Sequence, residues 1–527
     1  MQRGESNIGF SPKLAKRKLA TNDRLTDLEK DDKGEIDKSG SASDMAAGSG
    51  SLERFDDETK NGFLVDFEDK DPQNPLNWRL SKKLFHTMIY GVATLAAQFN
   101  STTTAPSVTH LADYFDVSRE KALLGTTLYV VGVAFGPMFF APLSEMYGRK
   151  VGVFGPLFIS MAFTLGSASS KDYSSLLVTR FFAGFFGGSP IVSSGGVIAD
   201  IWPITTRAIA LVFYAMFVVC GVTVGPVISA LLTYQVGTDE WRWPLWLICI
   251  IQGVLLVVAA LTVSESFKGV ILAKRAKMIR KQSGNWAYHA KHEEWDLDFS
   301  EYLSVHLLRP FAMLATPIVF ALALFASYVF GILYLIVTSV PLAFELTRGW
   351  EGTVSNLPIL SVLVGVLIGC TANIWGGLRY RKLLEKNDGV PLPEERFPPM
   401  MMFGWLMPAG MFIFAWTSQE KIHWIAPCIG LSCMAFGFFV IFQGCLNYLV
   451  DSFTRYAASA IAANTFLRSI LGGVFPLFGP ALFKNLGVNW GGSTIAFIAL
   501  GMIPIPFVFY AFGSKIRSKN PYIKRIS

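Results

Sequence analysis

Apolar residues along this 527-residue chain come in long continuous runs, not in the short periodic patches of a soluble fold. Runs long enough to cross hydrocarbon as helices, about 20 residues each, are predicted at 84–105, 123–143, 151–169, 176–199, 208–233 and 243–263, then at 312–337, 353–378, 399–416, 424–446, 457–483 and 489–512. The pattern therefore predicts twelve membrane helices in two six-helix halves, an all-α membrane protein. A polar link at 264–311 divides the halves, and polar tails at 1–72 and 513–527 flank them. The first tail is rich in Lys, Asp, Glu, Ser and Gly and is expected to be disordered, because it cannot bury enough apolar surface to order itself. Its basic stretch PKLAKRK (12–18) reads first as plain solvated tail, with contact to anionic lipid or a regulatory site as the alternatives.

Composition agrees with the pattern. The chain is 52% hydrophobic and only 16% charged, where a soluble chain carries about a quarter charged residues. The net charge of +7 is spread over the links instead of forming a patch for nucleic acid. With the N-terminus inside, the inside links hold Arg149, Lys150, Arg207, the basic run from Lys268 to Arg309, and the run from Arg379 to Arg396. The outside links hold only Arg119, Lys121, Lys171, Arg242, Arg348, Lys421 and Lys484. This asymmetry predicts that both termini are cytoplasmic. The first 80 residues are polar, so no cleavable signal peptide is expected. All six cysteines fall inside apolar runs without metal-ligand spacing and read as packing residues. No P-loop, H-E-x-x-H or G-x-S-x-G occurs, so neither ATP, a metal, a cofactor nor enzyme chemistry is expected. Paired six-helix halves suit a transporter with its site between them; layout alone leaves a channel or a membrane enzyme open.

The polar residues inside the apolar runs are the candidate chemistry. The inside link PLSEMYGRK (142–150) packs Glu145, Gly148, Arg149 and Lys150 into a tight turn. It reads either as a latch between bundles or as an inside-positive turn. Arg180 and Arg468 stand in apolar runs, where a charge costs about 2.5–3.5 kcal/mol on insertion scales; each must meet partners or a cavity, or snorkel outward. Carboxylates at membrane depth are scarce. Asp200, Glu265 and Asp451 sit at cytoplasmic helix ends, and Asp113, Glu345 and Glu351 lie near the outside. If protons are carried an acid must titrate, and Asp113 and Glu345 are the candidates unless they are simple loop acids. Gly221, Gly225 and Pro226 give span 5 a small-xxx-small face for close approach and a kink. The run QFNSTTTAP (98–106) has too many hydroxyls for a lipid face, so Gln98 and Asn100 are assigned to a cavity. Tyr129, Tyr214, Phe217, Tyr334, Gln443 and Asn464 are further candidates for an adaptable aromatic pocket.

An ordered set of these motifs carries a resemblance. A-P-L-S-E-x-Y-G-R-K is similar to the G-x-L-a-D-x-x-G-R-K signature of the major facilitator superfamily in its fungal P-L-S-E form, with Ala141 for the first Gly and Glu145 for the Asp. LLVTRFFAGFFGGSP resembles the R-x-x-x-G element through Arg180 and Gly184. VVCGVTVGPVISALL resembles the antiporter element g-x-x-x-G-P-x-i through Gly221, Gly225 and Pro226, with Ser229 and Ala230 in place of its final glycines. NPLNW, IADIWPITTRAIAL, WRWPLW, SESFKGVILAKRAKMIR and the run 457–483 also resemble the fungal twelve-span drug:proton antiporter family, over roughly 72–517. The resemblance implies a plasma-membrane exporter of small amphipathic or cationic compounds in exchange for protons. Glu145, Arg149 and Lys150 would then close the inside gate, Arg180 would take part in coupling, and span 5 would form the seam along which the bundles rock. A polyamine:proton antiporter of the same fold and a non-transporting membrane sensor are the alternatives.

Overall fold

The computed structural model describes residues 63–235, 240–294, 307–388, 390–453 and 456–518; residues 1–62 of the tail expected at 1–72, part of the central link and the end of the C-terminal tail lie outside the described residues. The membrane body and what packs on it belong to one unit, Val65–Ser527. Its first half contains α1 (Leu80–Thr102), α2 (Arg119–Met146), α3 (Arg149–Ala168), α4 (Tyr173–Ile201), α5 (Ile204–Gln235) and α6 (Trp243–Thr262). The second half contains α7 (Pro317–Arg348), α8 (Leu360–Lys386), α9 (Leu406–Thr417) and α10 (Ile425–Ser452). A continuous stretch, Ala457–Met502, then breaks at Gly487 (φ 75°, ψ 164°) into α11 (457–486) and α12, which runs from 488 through Pro504–Ser518. That backbone conformation is open to glycine and strained for other residues, so Gly487 is where the last hairpin turns.

Among the described residues, ten stretches are long and apolar enough to cross a membrane; the last, Ser459–Ser518, holds both α11 and α12. The exception is α1, whose Lys82, Lys83, His86, Gln98 and Asn100 dilute its apolar surface. Side chains cap several helix starts: Ser118 accepts from the Lys121 N–H before α2, and Asp172 from the Ser175 N–H before α4. Left-handed Gly349 ends α7.

Within each half, glycines let backbones touch. A Cβ on Gly184 of α4 would strike the Tyr129 carbonyl of α2, and one on Gly132 or Gly136 would strike the backbone of Phe181 or Phe185. Gly410 of α9 and Gly430 of α10 interlock in the second half in the same way. Such close approach supplies the van der Waals attraction that holds helices together in lipid. The halves meet mainly along α2 with α11 and α5 with α8. Thr127 donates across the first seam to the Gly473 carbonyl at 2.9 Å, and Phe135 meets Phe466 with ring centroids 5.4 Å apart.

Residues 65–72, which composition places in the tail, are packed. Val65 and Phe67 bury against Leu272, Ala276 and Ala290 of the central link, whose helix spans Lys268–Ser283. Asp71 pairs with Arg275, and Asp66 with Lys268 at 2.9 Å. Only two apolar side chains anchor this piece, too few to stand out in a polar segment.

Candidate functional site

Polar residues concentrate at three depths. At the end where α1 begins and α12 finishes, the proximal end, Arg149 is buried and gathers the ends of the first bundle. Its Nε donates to Asp200 at 3.0 Å, one terminal nitrogen to Ser144 Oγ at 2.8 Å, and the other to Glu145 at 3.3 Å. Glu265, just after α6, accepts from the backbone N–H groups of Arg149 (2.8 Å) and Lys150 (3.1 Å). A carboxylate here satisfies orphan donors at the start of α3 and complements its dipole. Gly148 has φ 102°, and a Cβ there would meet the Glu265 carboxylate, so the turn and its cap require glycine. Lys150 Nζ donates to the Ala260 carbonyl. The sequence reading missed Glu265 as a partner, although the acid directly after span 6 was the available signal.

Every partner that the described residues give to this knot lies in the first bundle and the link after it. A latch holding the two bundles together is therefore not what these contacts make; they tie together the ends of α2, α3, α4 and α6. The second bundle carries a counterpart. Arg396 donates to Asp451 at 2.7 Å and rests 3.5 Å from the Tyr380 ring centre, while Arg517 grips Glu394 through two nitrogens at 2.8 and 2.7 Å. Asp451 ends α10 as Asp200 ends α4.

Within the first bundle, near the start of α4, Arg180 is fully buried and each of its nitrogens is bonded. Its Nε donates to the Gly125 carbonyl (3.1 Å), and its terminal nitrogens to Asn100 Oδ1 (2.7 Å) and the Asn100 carbonyl (2.8 Å). Asn100 lies in the last turn of α1, where carbonyls have no intrahelical partner, so Arg180 caps that helix. It does not snorkel; Tyr129 lies beneath the guanidinium at 4.6 Å. Asn100 Nδ2 donates to Thr164 and Tyr129 donates to the Ala97 carbonyl, so both residues serve as internal ties of the first bundle and not as cavity lining. Phe217 covers Gly91 between α5 and α1. Gly221 and Gly225 seat the backbone of α1 at Leu95 and Phe99, within one bundle, and Pro226 lies inside the continuous helix α5. The seam between bundles is thus formed by other faces of α5.

At the centre the halves touch through Ser101 and Tyr334, whose hydroxyls are 2.8 Å apart. Gln98 is buried one turn before Ser101 on α1, and its carbonyl accepts from the Ser101 hydroxyl. Tyr214 donates to the Ile191 carbonyl at 2.6 Å. Arg468 of α11 lies 4.6 Å from the Phe330 ring centre and 5.2 Å from that of Phe442, and Tyr334 packs against Phe330 with ring centroids 5.3 Å apart. Among the described residues it has no hydrogen bond and no ion pair, and its Nε is buried without an acceptor. Asn464, one turn earlier on the same helix, is fully buried with both amide atoms unpaired, and Gln443 of α10 has an unpaired buried Oε1. Cation–π attraction of about 2 kcal/mol for a desolvated pair offsets only part of the several kcal/mol that a lone buried ion costs.

At the distal end a funnel of about 300 Å³ opens between the halves, lined by Arg119, Glu120, Tyr234, Glu345, Glu351 and Lys484 among others. Glu345 is exposed at its mouth, and Asp113 is exposed on the short helix Val108–Phe115 outside it. Neither candidate acid approaches Arg180. The only buried carboxylate among the described residues is Asp71, 8% exposed, at the proximal end.

Twelve helices in two packed halves around a polar centre define a membrane transporter of the paired-bundle class. The chain belongs to the Major Facilitator Superfamily, whose family model matches residues 90–476. It is 42% identical over 471 residues to the efflux pump bik6 of Gibberella fujikuroi, covering 89% of this chain and 97% of that protein. It is 36% identical to the multidrug transporter mdrA of Aspergillus fumigatus, covering 87% and 76%, and 34% identical to the multidrug transporter FLU1 of Candida albicans, covering 88% and 77%. Among solved structures, the proton:xylose symporter XylE bound to 6-bromo-6-deoxy-D-glucose superposes with a TM-score of 0.59 at 14% identity, covering 82% of this chain and 96% of that one. At that identity the likeness is one of fold.

Proposed function

We propose that this protein is a proton-coupled exporter of small amphipathic compounds, working by alternating access at the plasma membrane with both termini in the cytoplasm. The observation that carries the reading is the central polar layer, where Ser101 and Tyr334 join the halves beside the unpaired Arg468, Asn464 and Gln443. Such a layer suits a substrate site that either bundle can uncover. Export is supported by a relative described as an efflux pump and others described as multidrug transporters, and orientation by the basic residues at the proximal end. Glu145, Gly148, Arg149 and Lys150 act on the inside gate by keeping the first bundle's helix ends rigid while the bundles rock. In the coupling part of the proposal, Glu345, at the distal mouth, is the acid that an incoming proton meets first. Asp113 is a second outer acid, and Arg180 contributes by fixing Asn100 and the end of α1. A buried interior with two arginines and no carboxylate weighs against the cationic half of the substrate class, polyamines included. The joined halves weigh against a sensor that does not transport.

Uptake into inside-out vesicles under an imposed proton gradient tests this reading. Gradient-driven uptake of amphipathic dyes that a protonophore abolishes is expected, with a lowered rate in Glu345→Gln. Uptake indifferent to the protonophore would make the protein a facilitator.

A further inference from the structure

We infer that Arg468 is the anchor of an anion subsite, and that the substrate is an organic anion, a carboxylate or ionised phenol attached to an aromatic body, with a hydrogen-bond donor beside it. The inference deepens the reading above and rests on it for the location of the site.

Two buried arginines occupy the membrane interior, and their environments differ. Each nitrogen of Arg180 bonds Gly125 or Asn100, so that residue is committed to the first bundle. Arg468 has one flank against the stacked rings of Phe330 and Phe442, whose centroids lie 5.9 Å apart; among the described residues it makes no hydrogen bond, and its Nε is buried without an acceptor. A guanidinium presents a planar fork that matches a carboxylate with two parallel hydrogen bonds. Phe330 and Phe442 are buried here, so their faces become available to an aromatic body when the halves part. Asn464, one turn away on the same helix face, holds an unused amide donor and acceptor, and Gln443 an unused acceptor. An acceptor left open beside an anion site calls for a hydroxyl or N–H on the same ligand. Tyr334 bonds Ser101 and Tyr214 bonds the Ile191 carbonyl, and among the described residues neither hydroxyl hydrogen-bonds the guanidinium. No buried carboxylate among the described residues competes for the guanidinium.

The test uses the full chain in lipid nanodiscs without any gradient, and is therefore independent of proton coupling. Naphthoate, naphthamide and naphthylmethylammonium share one aromatic body and differ in charge. The naphthoate is expected to bind tightest, by roughly tenfold over the other two. Arg468→Gln should remove that preference and Arg468→Lys should keep part of it. Because an unpaired buried charge is lost, Arg468→Gln should also melt at a higher temperature than the parent protein when no ligand is present. Equal binding of the three probes, tightest binding of the ammonium, no measurable binding of the naphthoate, or an unchanged preference in Arg468→Gln each overturns the assignment. Should Arg468→Gln fail to fold, the three-probe comparison on the parent protein decides alone. Failed proton-driven uptake with intact anion preference would sink the coupling and leave the subsite standing.

Discussion

A buried arginine in a membrane helix has two meanings, and its hydrogen bonds distinguish them. Arg180 is spent on structure: it supplies donors to carbonyls at the end of α1 that have no other partner, and it ties α1, α2 and α4 at one point. Arg180→Ala should therefore lower the midpoint of thermal unfolding, because hydrogen bonds to a charged group contribute about 1.5–3 kcal/mol each and Asn100 Oδ1 would be left buried without a donor. Lysine, with one nitrogen in place of a fork, should recover little. If melting curves of Arg180→Ala and the parent coincide, the capping role is wrong; if the variant also exports at the parent rate, coupling loses this residue altogether. Glu265 shows the same economy at the proximal end, where one carboxylate takes the backbone donors of Arg149, Lys150, Ser266 and Phe267.

Glycine positions set how closely the helices of a bundle pack. At Gly184 a methyl group would overlap the Tyr129 carbonyl, whereas at Gly155 of α3 nothing lies within 4 Å of where it would go. Gly184→Ala should thus forfeit folded protein, read as the monodisperse fraction after detergent extraction, while Gly155→Ala should be tolerated. Equal yields from the two would show that α2 and α4 do not lie in backbone contact. This scale also shows what could be read from sequence and what could not. The twelve helices were legible because most runs are apolar from end to end, and the run at 84–105, although α1 carries polar residues, is still long enough to stand out. The partners were not. That Gly221 and Gly225 face α1, that Asn100 serves Arg180 and not a cavity, and that Val65 docks on the link all depend on which way a helix is turned about its axis. Runs apolar on every side carry little information about that rotation. Arg468 was legible as a costly residue, yet only the absence of a partner in three dimensions distinguishes it from Arg180.

Over the whole molecule, the two seams relate the bundles as a pair, α2 against α11 and α5 against α8, and alternating access requires each seam to open at one end while it closes at the other. At the proximal end of the α5–α8 seam, a Cβ on Gly377 would stand 4.0 Å from Ala208 Cβ. This separation lies within the range that a disulfide spans, about 3.5–4.5 Å between Cβ atoms. The double substitution Ala208→Cys with Gly377→Cys should cross-link on mild oxidation, and the cross-linked protein should stop transporting until a reductant is added. Either single cysteine should be unaffected by the same treatment. The native cysteines lie within the membrane helices, Cys249, Cys370 and Cys445 among them buried, so they compete poorly for the oxidant. Transport that continues through a fully formed cross-link would mean that the substrate does not pass by separation of this seam. Rocking of two rigid bundles would then have to give way to bending within one of them.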